Sequence, residues 1–134
     1  MIKSPRISDK AHSKARNDYE HQHQKAIMDW ARMARAKHPE LWLLYAIPNG
    51  GHRSKTTAGR LKDEGVKAGV PDLHLPISRG GFVGLWIEMK SPIGKLSENQ
   101  KQWAQKLQDA GHKVEVCRSA QEAINVIVWY LNQK

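Results

Sequence analysis

The sequence has a single cysteine, no long apolar run, and few acidic residues for its number of bases. Cys117 has no second cysteine with which to form an internal disulfide, and no Cys/His cluster of the zinc-binding kind is present. Its neighbours Val114 and Val116 give the alternation of a buried strand, so Cys117 reads as a small core residue rather than a nucleophile. The longest apolar stretch, Leu41 to Ile47, is far too short to span a bilayer, and the N-terminus lacks the apolar core of a secretory signal. There is no basic amphipathic helix with an aromatic-rich apolar face for a membrane surface. Repeats, low-complexity tracts and a second domain are also missing. These absences predict a soluble, intracellular, single-domain protein.

The chain's 134 residues, 40% of them apolar, suffice for one modest core. Lys and Arg total 22 against 13 acids, a net charge of +9, which makes a polyanion, nucleic acid first, the expected partner. The excess is uneven. Residues 1–17 carry Lys3, Arg6, Lys10, Lys14 and Arg16 against Asp9 alone and have almost no large apolar side chains, so they read as a flexible basic arm. That arm either binds phosphates or merely solubilises the chain. Residues 18–134 form the folded domain.

From Asp18 to Lys37 the spacing of Glu20, Gln24, Ile27, Trp30, Ala31 and Ala34 marks one face of a helix. Leu41 to Ile47 is apolar on both alternations, as in a strand covered on two sides, and Pro48-Asn49-Gly50-Gly51 ends it. A basic stretch follows, with a short helix over Thr57 to Glu64 closed by Gly65. Asp72 to Ile77 and Phe82 to Lys90 form a hairpin around Ser78-Arg79-Gly80-Gly81. Capping boxes at Ser97/Gln100 and Ser119/Glu122 start two helices, one ended by Gly111 and one carrying the inner stripe Ala123, Ile124, Ile127, Val128, Leu131, with the strand Lys113 to Cys117 between them. The fold class is therefore α/β, a central mixed sheet flanked by helices. Trp86, Trp103, Trp129 and Tyr130 are core candidates, although an exposed Trp129-Tyr130 pair would suit a subunit contact.

The chemistry lies in Pro71-Asp72 and Glu88-Met89-Lys90. On a strand Glu88 and Lys90 share a face while Met89 points away. Pro71 favours extended geometry, which brings Asp72 to the end of the hairpin where Glu88 and Lys90 arrive. Two carboxylates in close proximity repel unless a cation joins them, and hard oxygen ligands suit Mg²⁺ or Mn²⁺. Such a site beside a lysine can hydrolyse a phosphodiester. The structural alternative is a turn-starting Asp72 and an edge pair Glu88-Lys90. Glu20 faces inward on its helix and is either half of a buried ion pair or a site residue. Gln100 either completes its cap or contacts the site. Arg53, Lys55, Arg60, Lys62, Lys67 and Lys95 are candidate DNA contacts.

The segments GVKAGVPDLHLPI (Gly65 to Ile77) and LWIEMKSPIGKLSENQKQW (Leu85 to Trp103) resemble the VRR-NUC family, a branch of the PD-(D/E)xK nuclease superfamily. Ile47 to Arg53 resembles the loop after the family's first core strand, and the likeness extends from about Glu20 to Val116. It implies a restriction-endonuclease-like core. Asp72, Glu88 and the Met89 main-chain carbonyl would hold the metal, with Lys90 as catalytic lysine, Glu20 as the first-helix acid reaching the metal through water, and Gln100 as the helix glutamine. The stretch Val66-Lys67-Ala68-Gly69 lacks the two arginines of the family's name. Members of this single-domain type occur in bacteria and viruses and resemble dimeric resolvases of four-way (Holliday) junctions, which implies a homodimer acting on branched DNA in the cytoplasm of a bacterial cell or virus-infected host. Alternatives are a flap or restriction-type nuclease of the same chemistry and a non-catalytic DNA-binding module.

Overall fold

The run Leu85-Trp86-Ile87-Glu88-Met89 puts three apolar side chains on one side of an extended backbone, and Trp86 and Glu88 on the other. In the computed structural model, which describes residues 5–48 and 55–134, this run is strand β3 (Leu85–Met89), interior to a four-stranded sheet. The chain order is α1 (Pro5–Ala34), a 3₁₀ turn (Pro39–Leu43), β1 (Tyr45–Ala46), α2 (Lys55–Asp63), β2 (Leu73–Leu75), β3, α3 (Glu98–Asp109), β4 (Lys113–Cys117) and α4 (Ala120–Leu131). The strands lie side by side in sequence order. β1 pairs antiparallel with β2 and β2 with β3, while β3 and β4 run parallel. A parallel pair needs a crossover, which α3 supplies. The mixed α/β sheet is the one the element order predicts.

One face of the sheet builds the core. Leu73, Leu75, Leu85, Ile87, Met89 and Cys117 are all buried there, joined by Ile27 and Ala31 of α1 and by Ala123, Ile127 and Tyr130 of α4. Burying six such side chains is worth about 1.5–3 kcal/mol for each large apolar one, which fixes the sheet register by the cost of turning them outward. Cys117 is a free, buried thiol, as its alternation suggests.

The elements depart from the sequence reading where proline or propensity intervenes. α1 begins at Pro5 rather than near Asp18, and so runs through most of the stretch read as a basic arm. That stretch is rich in Ala, Lys and Arg, which are good helix formers, and Pro suits a first turn. The apolar run from Leu41 is not one strand: Pro39 opens a 3₁₀ turn that buries Leu41 and leaves only Tyr45–Ala46 to pair as strand. β2 stops at Leu75 because Pro76 has no N–H for the ladder. The hairpin closes where Arg79 and Phe82 exchange both backbone hydrogen bonds, at 3.1 and 2.8 Å. Gly80 and Gly81 between them have φ of 57° and 85°, the left-handed pair that a two-residue turn needs. Of the Trp129-Tyr130 pair only Trp129 is exposed; Tyr130 is buried, its hydroxyl donating to the Ile77 carbonyl at 2.6 Å.

Gly69 sets the entry to the acidic segment. Its φ is +96°, and a Cβ there would lie 2.7 Å from the Asn99 carbonyl carbon at the start of α3. Gly69→Ala should therefore lower stability by roughly 2–4 kcal/mol, from the sum of backbone strain and overpacking, read by urea unfolding. Gly65, also at positive φ but with open space around it, should lose less on the same substitution; equal losses would contradict the contact with α3.

Candidate active site

Leu73 pairs with Ile87 in the β2/β3 register, so the next step of the ladder sets Asp72 directly opposite Glu88. Both lie on the face away from the core, because their strand neighbours Leu73, Ile87 and Met89 point into it. Opposed residues bring their Cβ atoms to within about 5.5 Å, close enough for both carboxylates to reach one ion. The Asp72 carboxylate is tied in place by the Met89 N–H at 2.8 Å, and the Asp72 carbonyl accepts the Ile47 N–H at 2.7 Å. Glu88 is 3% exposed, yet its Oε2 has no hydrogen-bond partner. Burial first, then the hydrogen bond and charge of Asp72, push the Glu88 carboxyl far above the usual carboxylate range; Lys90 opposes this and Glu20 adds to it.

Glu20 reaches this cluster from α1, where its Oε2 accepts the Ser91 N–H at 3.3 Å. Lys90 is anchored through its own N–H to the Cys117 carbonyl at 2.9 Å. Glu20 and Asp72 also line one groove of about 890 Å³ between α1 and the Ala46-Ile47-Pro48 segment. Glu20 of α1, Asp72 just before β2, and Lys90 just after β3 thus act electrostatically on Glu88 of β3, at the floor of a groove that Glu20 and Asp72 line, and a dication there would offset the cost of ionising the buried Glu88. Among the described residues no three His, Cys, Asp or Glu side chains enclose an ion by themselves. A metal here would need oxygen donors from the main chain or water as well, the usual habit of Mg²⁺. The donor set and the unpartnered Oε2 fit such an ion.

The VRR-NUC domain matches residues 16–121. The chain belongs to the VRR-NUC family. A solved structure described as a VRR_NUC domain protein superposes with a TM-score of 0.72 at 30% identity, covering 84% of this chain and 87% of its own. A Fanconi-associated nuclease 1 homolog from Oryza sativa subsp. japonica is 38% identical over 77 residues, 54% of this chain. The matched part spans 8% of that protein's length.

Within this VRR-NUC domain the residues singled out from sequence fall into three groups. Asp72, Glu88, Lys90 and Glu20 come together as described. Met89 buries its side chain and gives its amide to Asp72. Gln100 is occupied by its cap: its Oε1 accepts the Ser97 N–H at 2.9 Å and its own N–H binds Ser97 Oγ at 3.2 Å. At the second expected box Ser119 Oγ caps Glu122, but the Glu122 carboxylate takes the Arg118 N–H instead of closing the box. Lys55, Arg60 and Lys62 are exposed on α2, Lys67 is exposed with its ammonium 6.0 Å from the Trp103 ring centre, and Lys95 is exposed in the loop after β3. Arg53 lies outside the described residues.

Sequence reasoning missed Arg118. Its guanidinium donates to the carbonyls of Ser91 and Gly94 at 2.8 and 2.7 Å, pinning the loop that follows Lys90, while Tyr19 of α1 donates to the Arg118 carbonyl. No local motif announces this role, because an arginine bound to two carbonyls through the fold looks like any surface base in the sequence. His23 was missed likewise: its Nδ1 accepts the Ala120 N–H at 2.8 Å, tying α1 to the first turn of α4.

The raised Glu88 pKa has a pH consequence. In the metal-free protein the folded state holds this proton more tightly than the unfolded chain does, so stability is fully present below the usual carboxylate value of 4.5 and falls as pH rises toward the folded value. Melting temperature in EDTA should drop from pH 5 to pH 8, and Glu88→Gln should flatten that slope while raising the value at pH 8. A Gln variant as pH-sensitive as the native chain would show that the Glu88 proton is not the cause.

Proposed function

We propose that this chain is a metal-dependent nuclease that hydrolyses phosphodiester bonds in DNA. The observation that carries this reading is the opposed Asp72–Glu88 pair with its unpartnered buried oxygen, flanked by Lys90 and Glu20. Family membership and a relative named as a nuclease support it. A pure DNA-binding module would gain nothing from acids gathered where a polyanion must approach.

Asp72 and Glu88 would hold Mg²⁺, with Mn²⁺ able to substitute, helped by the Met89 carbonyl and by Glu20 through water. When bound, the ion supplies positive charge for the phosphoryl oxygens and lowers the pKa of the attacking water. Lys90 donates from its ammonium to a non-bridging oxygen of the scissile phosphate, or orients the water for attack. Arg118 keeps the Lys90 loop fixed, so that no ordering cost falls on the reaction. Lys55, Arg60, Lys62, Lys67 and Lys95 neutralise flanking phosphates, and binding should weaken steeply with salt for that reason. Gln100 acts through its cap, by fixing the start of α3.

The substrate we favour is branched DNA, with the four-way junction first, cut by a two-fold homodimer that presents one site to each of two equivalent strands. Exposed Met33, Trp42 and Trp129 are apolar side chains available to the contact between subunits. Among the described residues no helix is long and apolar enough to cross a membrane.

Cleavage of labelled four-way junction, flap and linear duplex in Mg²⁺ tests this. Asp72→Asn and Lys90→Ala should each slow cutting by roughly 10²-fold or more with little change in folding. Undiminished cutting by both variants would remove the proposed site, and preference for the flap would move the substrate assignment to that class.

A further inference from the structure

The face of the sheet that carries Asp72 and Glu88 does not end with them. Two residues along, His74 of β2 stands opposite Trp86 of β3 and opposite Tyr45 of β1. Strand alternation puts His74 on the face of Asp72 and Trp86 on the face of Glu88. The aromatic row is therefore the next rung beside the acidic one, about 7 Å away along the strands.

The row is built rather than merely packed. Trp86 Nε1 donates to His112 Nδ1 at 3.1 Å, which orients the indole. His74 stacks on Trp86 with ring centres 3.8 Å apart and planes at 10°. Tyr45 meets His74 edge-on at 5.3 Å, and its hydroxyl lies 2.7 Å from His74 Nδ1. Burial, followed by the charge of His112, depresses the His74 pKa to about 4, so the ring is neutral and Nδ1 can accept the tyrosine proton. The last ring in this chain, Tyr45, is 45% exposed on the edge strand. Its orientation is set before any ligand arrives.

We infer that Tyr45, held by His74 and Trp86 beside the Asp72–Glu88 pair, is a stacking site for an unpaired nucleobase next to the cleaved bond. The inference rests on the proposed nuclease reading and narrows its substrate. Three properties of the site point to a base rather than to another protein. The adjoining rung is the proposed phosphodiester site, a span of about 7 Å can be bridged within a nucleotide or two, and the chain's charge of +9 favours a polyanion. A pre-oriented ring also loses little entropy on stacking. Bases inside a continuous duplex have both faces covered by their neighbours, so a protein ring can stack only on a base freed at a branch, gap or end. Tyr45 would thereby favour branched over continuous DNA without reading sequence.

The test uses the full chain with Lys90→Ala in Mg²⁺, so that DNA binds uncut, and a junction or gapped duplex carrying 2-aminopurine at the unpaired position. Stacking should quench its fluorescence. Adding Tyr45→Ala should abolish the quench and weaken binding of this probe roughly 5- to 100-fold, with continuous duplex unchanged. Tyr45→Phe and Tyr45→Trp, which keep a ring, should restore the quench. Retained quenching and affinity in Tyr45→Ala would overturn the inference, as would an equal loss on duplex, or a fall in oligomeric mass that marks Tyr45 as a subunit contact. Cutting of the probe by the Lys90→Ala chain at the native rate would instead count against the nuclease site itself, and is visible separately on a gel.

Discussion

Two carboxylates that face each other across adjacent strands, one of them almost wholly buried, are the constraint on which the rest of this fold turns. Left alone the pair is unfavourable: burial and mutual repulsion keep Glu88 protonated, and Oε2 has no partner. The fold tolerates it because the opposite side of the same strands carries five core side chains, Leu73, Leu75, Leu85, Ile87 and Met89, whose burial fixes the register. Stability on one face thus supports an electrostatic conflict on the other.

The supporting parts arrive from distant segments. α1 brings Glu20 to the Ser91 amide, Tyr19 to the Arg118 carbonyl and His23 to the first turn of α4. Arg118, just after β4, holds the loop beyond Lys90. α1 and Arg118 thereby brace the loop beyond Lys90, while the bases of α2 stay exposed. Acids and a lysine next to an exposed basic surface suit a polyanionic partner.

Much of this was legible in the sequence because the strongest signals were local. Alternation in Leu85 to Met89, the glycine pair at 80 and 81, the serine caps of α3 and α4 and the Pro-Asp step each state their geometry within a few residues. The sheet, the inward Glu20 and the convergence of Asp72 with Glu88 and Lys90 followed from them. Signals that depend on the rest of the fold did not show. The run Leu41 to Ile47 is apolar enough for a strand, but Pro39 winds its start into a turn. The N-terminal residues lack an apolar stripe, so the helix through them left no trace in the pattern. Arg118 and the ring chain from His112 to Tyr45 join residues far apart in sequence, and nothing near any of them reveals the partnership.

The central claim is that Asp72 and Glu88 together make a cation site. Manganese titration followed by electron paramagnetic resonance reads it directly, since the signal of free Mn²⁺ is lost on binding. The full chain should take up Mn²⁺ in competition with Mg²⁺, and Asp72→Asn with Glu88→Gln should leave the ion free. Unchanged uptake by that double variant, or none by the native chain, would contradict the account.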